Sequence, residues 1–481
     1  MIRKNILKSL GLASVMLFAA SCSDFGTMND NPNAIVTPVT SALLTNALLD
    51  FDSPATTGSM RNGLYCQYFA ETQYTETSLY AIPQIGWDGL YAGSLYDLQN
   101  IINNNTDAAT KVYAALNGSN NNQIALARIV KAYRLLMMTD QWGDMPYSEA
   151  LKLNNIPKYD SQQDIYTGLF KELKEAVAQF DGGAVPAGDI VHSGNITRWK
   201  KFANSLRLVM ALRLSKVDAT TGKAQFLDAL ASNGGVIESN DDNTQVVYPG
   251  GTYKSPWFNL YNGRKDYGVS DVLVNMLNST SDARVLAFGE ANASGTVVPM
   301  PYGLTRDDAV NYTNAHADWS RILNPNFRLE TSTTYVLTAS HVFLARAEAA
   351  ALGWTTESAA TMYSKGIEAS WKQWGVFDQT KFNTFLTSEA VQLGSTDALT
   401  KIRTQRYIAF FPDGANGWSE WRRTGVPNLT PSSKATNASK QIPRRFVYGS
   451  NEPNLNKANY QAAVSRLTGG DTQDAKIWWD K

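Results

Sequence analysis

The chain has 481 residues with 43 basic and 43 acidic side chains, and charged residues make up 18% of it. This length is ample for a large hydrophobic core, and the charge balance gives no electrostatic reason to expect a nucleic acid as a partner. Aromatic residues contribute 11%, and many of them stand in stretches rich in Gly, Pro and Asn. A neutral surface rich in aromatic and amide side chains suits uncharged polyols better than phosphates.

The first 21 residues have the pattern of a secretory signal peptide. Three bases precede an apolar run from Leu10 to Ala20, as in the basic and hydrophobic regions of such a signal. The run is shorter than the ~20 residues that a membrane-spanning helix needs. The small residues before Cys22 resemble a bacterial lipobox, which predicts that Cys22 carries acyl chains such as palmitate. Ala19 stands where Leu is usual, so a plain Ala-x-Ala secretory cut is the alternative.

Residues 22–40 are then the lipidated N-terminus and a polar tether. Removal of the signal peptide takes away three bases and no acid, which gives the mature chain a formal charge of −3.

Apolar residues next recur at helical spacing through Ala125–Leu136, Ile165–Phe180 and Trp199–Val209. Ser161-x-x-Asp164, ahead of the second stripe, is the pattern of a capping box.

Two further helices are predicted at His341–Leu352 and Ser358–Trp374, around a Gly353-Trp354 turn. This pair is typical of a tetratricopeptide (TPR) unit. The chain is helical again from Lys401 through Trp421 and is expected to end in a coil-rich tail.

The segment from about residue 240 to 334 differs from the rest of the chain. Gly, Pro, Asn, Thr and aromatic residues crowd together there, interrupted by one predicted helix at Val269–Met276. The stretch Thr72–Tyr91 has the same composition. Long irregular segments in a compact protein are often functional, so a ligand site is expected in these loops.

Signatures of catalysis are missing from the sequence. Walker, Rossmann and Gly-x-Ser-x-Gly motifs do not occur, and the three histidines lack metal-ligand spacing. With Cys22 lipidated, Cys66 has no disulfide partner, and its apolar neighbours predict a buried thiol. Glu238–Asn243 offers the oxygen ligands that calcium uses, but a solvated acidic turn is the favoured interpretation. No metal and no cofactor are therefore predicted.

Eight short motifs occur in a characteristic order and spacing. They are Cys22–Phe25, Asn31–Ala34, Thr139–Ala150, Tyr159–Tyr166, Trp199–Leu208, Arg346–Ala350, Trp421–Gly425 and Ile442–Arg445. On these motifs the chain resembles the SusD/RagB family of outer-membrane nutrient-binding lipoproteins, in its SusD-like branch. A departure is Trp142, where the family often has Tyr or Phe. The resemblance covers essentially the whole chain.

The resemblance implies a mainly α-helical fold, a TPR-like helix-turn-helix scaffold with long irregular ligand-binding loops. The expected organisation is a signal peptide (1–21), the lipidated tether (22–40) and one SusD-like domain (41–481) with the loop-rich insert. It further implies a protein of the outer-membrane surface that captures oligosaccharides, does not cleave them, and delivers them to a SusC-like TonB-dependent transporter. The family's ligand residues vary, so none transfers by motif.

The residues themselves suggest where a ligand would bind. Sugar rings place C–H faces on aromatic planes, and amides, carboxylates and guanidinium groups take the hydroxyls. The candidates in the loop-rich stretches are Tyr74, Tyr80, Trp87, Tyr253, Trp257, Tyr261, Tyr302 and Trp319, with Gln73, Asn259, Arg264 and Asp266 as polar partners. Trp87, just before a predicted helix, is also a natural core residue.

Three other functions stay open at this point. A peptide in place of a glycan is compatible with the same family. A glycan-active enzyme with two unrecognised carboxylates is compatible with the composition. A purely structural TPR-like scaffold would bind no ligand at all. The neutral aromatic loops favour the glycan.

Overall fold

The helices follow from the apolar stripes and caps of the sequence. In a computed structural model of the chain, residues 38–49, 51, 57–81, 84–152 and 154–481 are described. The α-helices are α1 (Thr40–Leu49), α2 (Thr57–Tyr65), α3 (Asp88–Leu90), α4 (Tyr96–Thr106), α5 (Lys111–Ala114), α6 (Asn120–Trp142), α7 (Gln162–Gln179), α8 (Ile196–Arg213), α9 (Ala219–Leu230), α10 (Pro256–Asn259), α11 (Asp271–Ser279), α12 (Val285–Phe288), α13 (Arg306–Ala315), α14 (Ala339–Ala351), α15 (Ala359–Gln373), α16 (Gln379–Thr387), α17 (Ala398–Phe410), α18 (Gly414–Thr424), α19 (Glu452–Leu455) and α20 (Lys457–Val464).

Short strands and single turns complete the fold. The strands are β1 (Phe69–Glu71), β2 (Met145–Pro146), β3 (Tyr159–Asp160), β4 (Thr244–Val246), β5 (Tyr267–Val269) and β6 (Thr334–Leu337). They pair antiparallel as β1–β5, β2–β3 and β4–β6. A π-turn covers Tyr91–Leu95, and 3-10 turns cover Ala115–Asn117, Asn240–Asp242 and Pro325–Phe327.

The prediction of a mainly α-helical, TPR-like scaffold is confirmed. Helices that follow one another in the chain pack side by side: α6 on α7, α7 on α8, α8 on α9, and α14 on α15. The predicted pair around Gly353-Trp354 is α14 and α15, with Gly353 at a φ of +69° in the turn. Thr40–Lys481 forms one compact unit, apart from the residues up to Val39.

The Gly143–Pro146 motif shows how the scaffold turns from one helix to the next. Gly143 caps α6 at a φ of +86°, a conformation that other residues rarely adopt, and Pro146 cannot continue a helix. The Asp144 carboxylate accepts a bond from the Gln162 backbone N–H at 2.8 Å, where α7 begins. Ser161 caps α7 by accepting from the Asp164 N–H. Its hydroxyl also donates to the Asp164 carboxylate at 2.6 Å, whereas in a full capping box the Ser161 backbone N–H would donate to that carboxylate.

One helix boundary and the C-terminal tail differ in detail from the predictions. The helix expected from Val269 begins at Asp271, because Val269 pairs in strand β5 and Ser270 caps the helix by accepting from the Leu273 N–H. The expected coil-rich tail contains α19 and α20, which are too short for a recognisable apolar stripe.

The thiol of Cys66 and the acidic turn at Glu238–Asn243 have the surroundings that the sequence predicts. Cys66 is fully buried, with its thiol 3.7 Å from the carbonyl oxygen of Gly63, and burial raises its pKa well above the usual value. In the acidic turn, Glu238 pairs with Arg346 and Asp242 with Lys201. Those carboxylates are engaged with bases.

A network of buried ion pairs joins α14, α17 and α18. Glu348 in α14 has no exposed surface, and its carboxylate lies 3.1 Å from Arg406 Nε and 2.7 Å from Arg423 Nη2. Glu420 in α18 bonds the same two guanidinium groups and lies 3.6 Å from Arg213 of α8. The guanidinium groups lower the pKa of both carboxyls against the opposing effect of burial.

The predicted signal peptide, Cys22 and most of the tether lie outside the described residues. Across the portions of the chain that the structure describes, no helix has both the length and the apolar composition to cross a bilayer.

Truncation of Glu348 should unfold the scaffold more readily than loss of a surface charge. Glu348→Ala leaves buried guanidinium groups without a carboxylate, which costs about 3–5 kcal/mol. Glu368→Ala removes an exposed pair with Lys372 and should cost less than about 1 kcal/mol. Urea denaturation measures both free energies of unfolding. Equal losses would show that the buried network does not stabilise the fold.

Candidate ligand-binding surface

Two loops from distant parts of the sequence leave the same end of the β1–β5 pair. Glu71 pairs with Tyr267, so the chain after β1 and the chain before β5 run alongside each other. The Thr72 N–H donates to the Asp266 carbonyl oxygen at 2.9 Å, and its hydroxyl donates to that of Lys265 at 2.7 Å. These bonds fix the start of the Thr72–Tyr80 loop against residues 262–266.

Tyr74 lies at the exposed tip of this arrangement. Its side chain is 44% exposed, with Arg264 Cζ 4.7 Å and Arg306 Cζ 5.2 Å from the ring centroid. Arg264 also pairs with Asp266 at 2.8 Å, and Asp266 accepts a bond from Gln73 Nε2 at 2.9 Å. An aromatic ring, two guanidinium groups, an amide and a carboxylate therefore meet at one place.

Trp319 lies on the neighbouring part of the same surface. It packs beside Gly268 of β5, where a Cβ would lie 3.3 Å from Trp319 Cε3. The half-buried indole lines an open cleft of ≈ 220 Å³ together with Lys265, Asn292 and Asp318. Lys265, which lines the cleft, precedes Asp266 of the Tyr74 cluster in the chain. We call Gln73, Tyr74, Arg264, Lys265, Asp266, Arg306, Asp318 and Trp319 the Tyr74–Trp319 surface.

A buried carboxyl supports the Tyr74 loop from below. Glu71 Oε2 accepts bonds from the Ser78 N–H at 2.8 Å and the Ser78 hydroxyl at 2.7 Å, which ties β1 to the far side of the loop. Burial raises the pKa of Glu71 to about 7, although the Ser78 bonds oppose the shift. The Tyr302 hydroxyl lies 3.3 Å from that of Tyr80 and closes the loop from the other side.

Three predicted ligand residues lie in the hydrophobic core. Tyr80, Trp87 and Trp257 are 1%, 4% and 2% exposed. Trp87 has four aromatic neighbours, the nearest Tyr448 at 5.4 Å between ring centroids, and its Nε1 donates to Glu452. Trp257 packs edge-on against Phe69. The indole rings of Trp87 and Trp257 have no free face for a sugar, because other protein side chains cover them.

The other predicted residues either lie exposed at the surface or pack beneath it. Tyr253 is 54% exposed in a tight turn that backbone hydrogen bonds with Gly250 close. Tyr261 packs on the core and donates its hydroxyl to the Tyr267 carbonyl oxygen. Tyr302 is half-buried beneath the Tyr74 loop. Asn259 donates to the Lys254 carbonyl oxygen and takes no part in the cluster.

Sequence reasoning missed Arg306, Lys265 and a stacked Tyr312–His316 pair. Arg306 begins α13, which Thr305 caps, and Tyr312 and His316 lie one turn apart at its other end with ring centroids 4.2 Å apart. A Thr followed by Arg-Asp-Asp predicts a helix start, but only the fold brings that start to Tyr74. Within the described residues, no group of three or more His, Cys, Asp and Glu could hold a metal ion.

The comparison with family models matches residues 32–449 to a SusD-like model described as starch-binding, associating with outer membrane. The chain belongs to this SusD-like family. The resemblance inferred from the eight motifs is confirmed, and the family description associates its members with the outer membrane. The comparison with curated proteins found no match.

Solved structures of SusD homologues share the fold over nearly their whole length. A chitin-binding protein is 29% identical with a TM-score of 0.79, covering 92% of this chain and 99% of that chain. A SusD homologue from Bacteroides uniformis is 25% identical with a TM-score of 0.78, covering 92% and 98%. A SusD homologue from Bacteroides fragilis is 24% identical with a TM-score of 0.80, covering 92% and 100%.

The buried Glu71 should make stability depend on pH. Its pKa is about 7 in the folded chain against ~4.3 when solvated, so the folded state favours the protonated form. The free energy of unfolding that it contributes is fully present below pH ~4 and falls as pH rises to ~7, by roughly 3–4 kcal/mol. Glu71→Gln, which keeps the acceptor for Ser78, should remove this loss.

Urea denaturation of the parent protein and of the Glu71→Gln variant from pH 4.5 to 8 measures this free energy of unfolding. His192 and His341, whose pKa burial lowers to about 4, act in the opposite direction, so only the difference between variant and parent isolates Glu71. A difference that stays constant over this range would contradict a buried, protonated Glu71.

Proposed function

We propose that the chain binds an oligosaccharide on the Tyr74–Trp319 surface and delivers it to a SusC-like TonB-dependent transporter in the outer membrane. The observation that carries the proposal is the meeting of two accessible aromatic side chains with donors and acceptors on one surface. Aromatic planes take the C–H faces of sugar rings, a role that the half-buried indole of Trp319 fits. At Tyr74 the guanidinium groups of Arg264 and Arg306 lie over the ring, so the ligand would meet those groups together with the ring. Arg264, Arg306 and Lys265 can donate to hydroxyls, and Asp266 and Asp318 can accept from them.

The shape of the surface suits a chain of sugars more than an enclosed small molecule. The Trp319 cleft, at ≈ 220 Å³, is smaller than the ~300–1,000 Å³ pockets that enclose drug-sized ligands. It is open to solvent, and Lys265 in its lining precedes Asp266 of the Tyr74 cluster in the chain, so the proposal is that an extended ligand crosses both. The family description and the chitin-binding relative at 29% identity support a glycan over a peptide.

Membership of a family described as starch-binding supports binding without cleavage. Asp266 of the surface already pairs with Arg264 and accepts a bond from Gln73. An open platform of this kind should bind with a Kd of roughly 10 μM to 1 mM. Acylated Cys22 would hold the protein beside the transporter and compensate by raising the effective concentration.

Truncation of the two aromatic side chains should weaken glycan binding. Each of Tyr74→Ala and Trp319→Ala removes apolar contact worth about 1.5–3 kcal/mol when fully buried, so we expect affinity to fall about tenfold or more for each. Isothermal titration of residues 23–481 with an oligosaccharide panel, chitin and starch fragments included, measures it. Tyr253→Ala is the matched control, because Tyr253 is an exposed tyrosine (54%, against 44% for Tyr74) outside the surface.

Three outcomes would contradict the proposal. Equal losses in the Tyr253 control would place the site elsewhere. Binding of peptides but not glycans would make the chain a peptide-binding member of its family. New reducing ends after incubation with glycan, abolished by one carboxylate change, would make it an enzyme.

Replacement of the predicted lipidated residue tests the anchor. Cys22→Ala removes the thiol that would carry the acyl chains, each methylene of which contributes ~0.8 kcal/mol to membrane binding. The variant should move from the membrane fraction to the soluble fraction after cell breakage, while glycan affinity stays unchanged. Retention in the membrane fraction would overturn lipidation at Cys22 as the means of attachment.

A further inference from the structure

Four large apolar side chains in two neighbouring segments are exposed to solvent. In the segment Lys111–Asn117, Val112 is 68%, Tyr113 61% and Leu116 84% exposed, and Val185 nearby is 51% exposed. Val112 and Leu116 are four residues apart in one helical turn and share a face. We call these four residues the Leu116 patch.

Backbone hydrogen bonds hold Val185 beside the turn. The Ser119 N–H donates to the Ala184 carbonyl oxygen at 2.9 Å, and the Ala187 N–H donates to that of Asn117 at 2.8 Å. A Cβ on Gly118 would lie 2.6 Å from the Val185 carbonyl oxygen, so the two segments are in close contact. The patch is therefore formed by two segments in a fixed arrangement.

One buried side chain connects this patch to the start of α1. Gln123 Nε2 donates to the carbonyl oxygens of Ala114 at 2.8 Å and Gly118 at 2.7 Å. Gln123 Oε1 accepts from the Thr40 hydroxyl at 2.5 Å. The point where the chain enters the compact unit thus lies next to the segment that carries the patch.

We propose that the Leu116 patch rests on the lipid bilayer to which Cys22 is anchored. The proposal rests on the membrane attachment in the proposed function. The 17 residues from Ser23 to Val39 reach at most about 60 Å, so the compact unit stays near the bilayer, and its Thr40 end is where the chain from the anchor arrives. The exposed Lys111 beside Val112 suits lipid phosphates.

The size of the patch favours a bilayer over a protein partner. Four side chains offer far less than the ~800 Å² per partner of a stable protein interface. A tethered protein needs a smaller contact area with the bilayer, because the anchor already supplies a high local concentration. Partial insertion of a few apolar side chains then suffices to orient it. Tyrosine is enriched at such interfaces, with its ring in the apolar layer and its hydroxyl in water.

A polarity-sensitive fluorophore on Leu116→Cys tests the contact. Residues 1–22 are replaced by a histidine tag, which leaves the Thr40–Lys481 unit intact, and the protein is held on phosphatidylethanolamine–phosphatidylglycerol vesicles that contain a nickel-chelating lipid. Buried Cys66 does not take the label. We expect a blue shift on vesicles for Leu116→Cys and none for Leu455→Cys, which is also strongly exposed (70%).

The tag replaces the acyl chains, so the result does not depend on whether Cys22 is lipidated. An absent shift at Leu116, or an equal shift at Leu455, would overturn the proposal. In a second variant the fluorophore is attached to Val185→Cys. Addition of Val112→Ser and Leu116→Ser to that variant should abolish the blue shift of the fluorophore on vesicles. Protection of Leu116→Cys only in the presence of an outer-membrane protein would mark a protein interface and overturn the lipid assignment.

Discussion

The fold depends on the charges that it buries around Glu348 and Glu420. Each ion taken out of water costs several kcal/mol unless partners surround it, so a packing of these helices that separated the carboxylates from the guanidinium groups would be unfavourable. Arg213 extends the network to Asp140, with its Nε 3.2 Å from the carboxylate. Asp140 also accepts from Tyr166 and from Trp479 near the C-terminus. Residues as far apart in the chain as Asp140 and Trp479 are thus held together.

This constraint explains why the family motifs occur where they do in the sequence. Thr139–Ala150 supplies Asp140, Arg346–Ala350 supplies Glu348, and Trp421–Gly425 supplies Arg422 and Arg423. Arg422 lies between Trp418 and Trp479, 3.7 Å and 4.9 Å from the ring centroids, and donates to the Asp140 carbonyl oxygen. Motifs separated by hundreds of residues belong to one buried cluster, and they carry no part of the Tyr74–Trp319 surface.

The motifs and the helical stripes therefore predict the scaffold well and the ligand surface poorly. Helix pairs need only local spacing, as the α14–α15 turn shows. The surface depends on the pairing of β1 with β5, about 200 residues apart, which no local pattern reveals. The loop-rich composition around Trp257 predicts exposure, yet strand pairing and the rings of Phe69 and its neighbours enclose that indole. Tyr74 stands in a stretch of the same composition and remains accessible because it lies past the end of β1. Trp319 remains half-buried beside Gly268 of β5.

Weak binding is what a delivery role requires. With association at about 10⁵–10⁷ M⁻¹s⁻¹ and a Kd of roughly 10 μM to 1 mM, a glycan leaves the surface within about a second at most. Tighter binding would prevent transfer to a transporter, because affinity among related complexes is set mainly by the dissociation rate. In the proposed function, a scaffold held by buried ion pairs would keep the site formed and an open aromatic surface would allow release. The predicted lipid tether would hold the protein near the membrane and so compensate for weak affinity.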